Sequence, residues 1–213
     1  MSFRLSPMLV AVAALSVAGL SVAACGQPEA AKAPEAPAAA VTPETPVAPA
    51  TFDLAAVPVS TAPLGASPYF SAPAGYRAED LGAIPATAFP VWLGGGFQTV
   101  EGDVHWTRIG AEPGRTLSRL EVARAVEAMV AAAGGVKIAS GQVPGSAYSA
   151  LPEAQRTELL SALGDVTNSP TTTYVIRRAD KTIWVHSVVS IEVAYLSVVD
   201  GPAFVAPADS PPA

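Results

Sequence analysis

Cys25 is the only cysteine in the sequence. No disulfide can close within the chain, so whatever folds here must stand on buried apolar area rather than on cross-links. The composition on either side of that residue divides the chain further. Met8 to Ala24 is a run of seventeen Met, Leu, Val, Ala, Ser and Gly residues without a charge. From Gln27 to Ala50 the chain is mostly Pro, Ala, Glu, Thr and Val, with prolines at positions 28, 34, 37, 43, 46 and 49. Proline at that density excludes helix and sheet and favours extended polyproline II. Such a segment also buries too little apolar surface to offset the entropy of ordering it. The sequence therefore divides into 1–24, 25–50, a region 51–204 long enough for one core, and a proline-rich tail 205–213.

The N-terminal run has the anatomy of a secretory signal. A short leader carries one positive charge, Arg4, an apolar stretch follows, and small residues precede a cleavage point. The stretch is short and weakly apolar for a membrane span, which needs about 20 apolar residues. Val22-Ala23-Ala24-Cys25 resembles a bacterial lipobox, and the resemblance implies cleavage before Cys25 and acylation of its sulfur. The alternatives are an ordinary signal peptide with an incidental cysteine, or an uncleaved anchor. Two or more acyl chains, as lipoproteins carry, anchor durably where one chain binds only marginally. Gly26 stands where an Asp would suggest inner-membrane retention. The expected location is the outer membrane of a bacterial envelope, with the domain on the periplasmic side. Residues 27–50 then form a spacer of up to roughly 75 Å when extended; a proline-rich ligand for a partner domain is the alternative.

Within 51–204, Phe52 to Gly96 is rich in Pro and small residues and broken by Tyr69-Phe70, Tyr76, Leu81, Phe89 and Trp92. It reads as an extended arm whose aromatics pack on the domain, with a short helix around 78–81. Val100, Gly102, Val104 and Trp106 alternate with Glu101, Asp103, His105 and Thr107, the pattern of a strand with one buried face. Thr116 to Ala133 predicts an amphipathic helix with Val122, Val126, Met129, Val130 and Ala133 on one stripe. Ser118 and Thr116 compete as its N-cap, and Gly134-Gly135 ends it. Val136 to Val143 predicts a strand, and Leu151 to Leu163 a helix that Gly164 closes. Thr171 to Arg178 and Thr182 to Val189 predict a hairpin around Ala179-Asp180-Lys181, and Ile191 to Val199 a last strand closed by Asp200-Gly201-Pro202. The order β-α-β-α-β-β-β predicts an α+β fold, a mostly antiparallel sheet with both helices on one face.

Few residues carry chemistry. Glu101, Asp103 and His105 share a strand face and offer a candidate metal set; the competing reading is the solvated face of a half-buried strand. His186 shares a face with Trp184 and Val188, which favours a packed, hydrogen-bonded histidine over a catalytic one. Arg177 and Arg178 point to opposite faces and offer an anion site or, more simply, solvated or acid-paired charges. Gly94-Gly95-Gly96 leads into a strand, so no helix N-terminus waits there for a phosphate. No nucleophile, zinc or P-loop motif is present. The net charge is −6 with no basic run, which argues against nucleic acid as a partner.

Pro63-Leu64-Gly65, Pro68-Tyr69-Phe70, Pro90-x-Trp92, Val100-Glu101-Gly102, Ser118-Arg119-x-Glu121-Val122, Gly164-Asp165, Thr173-Tyr174-Val175-Ile176-Arg177-Arg178 and Ile183-Trp184-Val185-His186 together resemble the N-terminal region of OmpA-family outer-membrane lipoproteins. The likeness covers roughly residues 60 to 204. In that family the region precedes an OmpA-like peptidoglycan-binding domain. The present sequence runs into its proline-rich tail instead, so those binding residues have no counterpart to carry over. The expected function is a non-catalytic interaction or structural module of the envelope, with the membrane and an envelope protein as partners and no cofactor; a small-molecule or cell-wall-polymer binder is the alternative, an enzyme less so. Mass spectrometry of the mature N-terminal peptide is expected to show Cys25 as its first residue, bearing acyl chains. An unmodified peptide starting elsewhere refutes the anchor.

Overall fold

A computed structural model describes residues 52–205; Cys25, the spacer and the tail from residue 206 lie outside them. The described residues form a six-stranded antiparallel sheet. Its strands are β1 (Tyr76–Trp92), β2 (Phe97–Ala111), β3 (Val136–Gly141), β4 (Thr171–Arg177), β5 (Lys181–Val189) and β6 (Ala194–Pro202), in the spatial order β1-β2-β6-β5-β4-β3. Helix α1 (Arg119–Ala132) joins β2 to β3; the short helices α2 (Gly145–Ser149), α3 (Glu153–Glu158) and α4 (Leu160–Leu163) join β3 to β4. The α+β class and the antiparallel sheet are as expected; the order and the helix placement are not. Among the described residues no helix is long and apolar enough to cross a membrane.

Helix α1 follows its sequence closely. Ser118, not Thr116, is the cap: its hydroxyl accepts from the Glu121 N–H at 3.4 Å, a contact worth about 1 kcal/mol. Val122, Val126 and Val130 are buried on one stripe, and Gly134 takes the left-handed turn (φ 76°) that ends the helix. In contrast, the predicted helix 151–163 is broken into α3 and α4 at Leu159, and residues 145–149 add a turn before it. The last strand starts at Ala194 and runs through Asp200, Gly201 and Pro202, which were expected to close it.

The two helical connections lie on opposite faces, which corrects the one-face expectation. Helix α1 crosses from β2 to the far edge of the sheet and packs with Ile109, Tyr174, Ile176, Ile183, Val185, Leu196 and Val198. Leu159, Ala162 and Leu163, at the start of and within α4, pack with strand residues that face the other way: Val104, Val175, Trp184 and Val199. Successive strand residues point to opposite sides, so every residue of β5 from Thr182 to Val189 is buried. A strand buried on both faces requires a cover on each, and one pair of helices on one side would leave the other side wet.

The largest correction concerns residues 76–92, which are not arm or helix but β1, a seventeen-residue edge strand. Pro85 and Pro90 argue against a strand only where a neighbour needs the missing N–H, and an edge does not. Pro85 and Ala86 lie in a register shift; Ala86 adopts φ 46° and its N–H donates to Asp103 at 2.9 Å. Beyond this bulge the strand curls inward. Phe89, Val91 and Trp92 are buried, and Phe89 meets His186 of β5 edge-to-face at 5.5 Å.

Residues 52–75 do form the expected arm, and it wraps the sheet. Phe52 packs against Trp184 (5.8 Å) and Val57 joins the core on the α4 side. Val59 then forms an isolated parallel bridge with Arg177, and Leu64, Tyr69 and Phe70 pack on the α1 side. The chain thus passes around the end of the β4–β5 hairpin. Arg177 donates to the carbonyls of Ala55 (2.8 Å) and Val57 (3.1 Å), and Arg178 to that of Ala62 (2.8 Å). Arg177→Ala is expected to lower stability by about 2 kcal/mol and to speed chymotryptic cleavage at Phe52 and Leu54, with Arg178→Ala milder. Equal protease resistance in all three proteins would show that the arm is held by its apolar contacts alone.

Candidate functional site

The candidate residues separate by element. Glu101 and Asp103 are exposed on β2, His105 is half-buried, and Asp103 accepts from the Ala86 backbone. At about 3.3 Å per residue the first and last lie roughly 13 Å apart, too far for one ion. Among the described residues no three His, Cys, Asp or Glu side chains are grouped to hold a metal. Arg177 and Arg178 do leave on opposite faces, but their guanidinium groups are taken up by arm carbonyls, and Arg177 also lies 4.9 Å from the Phe204 ring. Neither presents an anion site.

His186 is buried to 1% exposure, its Nε2 lying 3.0 Å from the Leu163 carbonyl. A carbonyl only accepts, so Nε2 carries the proton. Its cross-strand neighbours Thr173 and Ser197 face the same way and are also buried. Ser197 Oγ donates to the Ala162 carbonyl at 2.5 Å. These two bonds fasten the last turn of α4, whose carbonyls have no partner further along the helix. Thr173 Oγ1 and His186 Nδ1 have no hydrogen-bond partner among the described residues. Burial pushes the imidazole down to about 4, partly opposed by the bond to Leu163.

A second polar cluster closes the arm on the α1 side. Tyr69 donates to Asp200, and the Lys181 ammonium donates to both Tyr69 (3.0 Å) and Asp200 (3.1 Å). Burial, then the Asp200 bond, raise the Tyr69 phenol, and the bonds to Tyr69 and Asp200 raise the Lys181 ammonium. Each group is satisfied by the others, so the cluster acts as a latch rather than as an acid–base pair.

What the fastened turn of α4 positions is a cleft of about 380 Å³ between α4, the loop 164–167 and the start of β6. Tyr148, Leu160, Ser161, Asp165, Thr167 and Tyr195 line it. Gly164, at φ 66°, is required here: a Cβ would stand 2.8 Å from the Tyr195 ring, which lies against the backbone. Asp165 accepts from Asn168 at 2.8 Å, and Arg156 stacks on Tyr148 at 5.6 Å. In the sequence Gly164 reads as a helix stop and, with Asp165, as one of the short matches to the lipoprotein region; neither these two nor Tyr148 and Tyr195 read as site residues. Four residues from three elements carry no shared spacing. No protein-family model matches the chain, and no curated protein matches it.

The buried imidazole makes a pH prediction. Between the unfolded value near 6.5 and the folded value near 4, the unfolded chain binds a proton that the native protein does not, so stability rises with pH. The contribution is full above 6.5 and is lost as pH falls toward 4, by up to roughly 3 kcal/mol. His186→Gln keeps a donor for Leu163 without the titration. The fall in Tm between pH 7 and 4.5 is therefore expected to be smaller in the variant, and equal falls refute this source.

Proposed function

We propose that this chain is a non-catalytic interaction module of the bacterial envelope, anchored in the outer membrane through acylated Cys25 and carried on the proline-rich spacer. Its likeness to the N-terminal region of OmpA-family lipoproteins supports that placement. The observation that carries the reading is where the chain enters and leaves the domain. The arm at Leu54 to Val57 and the C-terminal segment at Phe204 both meet Arg177, at one end of the sheet. The strands β5 and β6 run about 25 Å from there to the opposite end. At that end the β5–β6 turn exposes Ile191 to 67%, and Leu160 stands at the nearby cleft at 60%. Neither Leu54 to Val57 nor Phe204 lies at this end, which is the surface we assign to a partner. A tether of this kind raises the local concentration of the domain without adding contacts.

Two other routes to a partner are disfavoured. The arm aromatics are used by the domain's own core. Both sheet edges are blunted: β1 by Pro85, Pro90 and its bulges, β3 by its six-residue length, its bulge and the Lys137–Glu127 pair at 2.7 Å. In living cells, a photocrosslinking residue at position 191 is expected to capture one envelope protein reproducibly, and one at position 59 to capture none. The adduct should require Cys25. Absence of an adduct from position 191, or equal capture from both positions, refutes the reading.

A further inference from the structure

We infer that the cleft between α4 and the start of β6 is a binding site for an uncharged saccharide, a function beyond the partner-holding role proposed for the neighbouring turn at Ile191. Three observations single it out, the first against two other hollows among the described residues. It lies at the end away from the chain connections, whereas the hollow beside Leu93 and Val136 is walled by the arm residues Phe52 to Pro58, and the one beside Trp184 by Phe204 and Val205. Its walls are tied to the sheet and to each other: α4 is held by His186 and Ser197, the Tyr195 ring lies close against the Gly164 backbone, and the loop 164–167 is held by Gln142, which donates to the Thr167 carbonyl. A site that is ordered before binding spends little of its interaction energy on ordering.

The third observation is the lining itself. Tyr148, Tyr195 and Leu160 supply flat or apolar surface; Ser161, Thr167 and Asp165 supply hydroxyls and a carboxylate. No Lys, Arg or His lines the cleft itself; Arg156, behind Tyr148, is engaged by that ring and by the Leu151 carbonyl, and the chain carries a net charge of −6, so an anionic ligand finds little counter-charge. A cationic ligand meets one carboxylate, and one oxygen of it already accepts from Asn168. A wholly apolar ligand would strip water from Ser161, Thr167 and Asp165 without replacing their hydrogen bonds. What remains is a neutral molecule with C–H faces for the phenol rings and hydroxyls for the carboxylate, which describes a pyranose. The volume is at the small end of ligand pockets and accommodates one or two sugar rings.

The test titrates the detergent-solubilised full chain with maltotriose and with triacetylchitotriose, followed by calorimetry, and with trilysine as a charged competitor. Saturable binding of at least one trisaccharide is expected, weakened about tenfold or more by Asp165→Ala, which removes an ion-assisted hydrogen bond. Tyr148→Ala is expected to abolish binding; its Tm is read in parallel, and Asp165→Ala, at an exposed loop position, decides if Tyr148→Ala unfolds. No saturable binding of either sugar, undiminished binding in Asp165→Ala, or tighter binding of trilysine than of both sugars each overturns the inference. None of these outcomes touches the crosslinking result at Ile191.

Discussion

Strand β5 is buried on both faces, and the rest of the structure follows from that constraint. With Ile183 and Val185 turned to α1 and Trp184 and His186 turned to α4, the sheet needs two covers. Helix α1 supplies one through its valine stripe. The other face is covered in pieces: the short helices, the curled end of β1 and the first residues of the arm. This explains why elements as short as α4 persist. A four-residue helix has no stability of its own, but its last carbonyls are tied to Ser197 and His186 from the sheet beneath.

The piecewise cover also sets the polarity of the molecule. The arm reaches both faces only by passing around the β4–β5 end, and Arg177 and Arg178 hold it there because consecutive strand residues point apart. Phe204 comes back to the same arginine. Both connections therefore crowd one end of the sheet, and the cleft over α4 opens at the other. The placement of this cleft is in this sense a consequence of how a disulfide-free domain closes its second face.

The expectations that failed did so for related reasons. Pro85 and Pro90 masked β1 because a sequence does not say which strand is an edge, and only there is a proline without an N–H tolerated. The one-face placement of the helices overlooked a signal that was present: Val175-Ile176, Trp184-Val185 and Val198-Val199 are unbroken apolar pairs, and alternation is lost where both faces are buried. Glu101, Asp103 and His105 share a direction, but an extended strand spaces them too widely to act together.

Local physics settled a good deal without the fold. The valine stripe and the glycines after it fixed α1, with Ser118 chosen over Thr116 as its cap only in the structure; the β-branched runs fixed β4 and β5, and the apolar run ending at the single Cys25 sets the expectation of an anchored chain. Those signals depend on neighbours in the sequence. The tie between the arm and Arg177, the edge strand β1, the burial of His186 and the cleft of Tyr148, Asp165 and Tyr195 depend on residues brought together from distant segments. Only the packed sheet decides which of them meet, because the hydrophobic contacts that assemble them have no direction and leave no spacing in the chain.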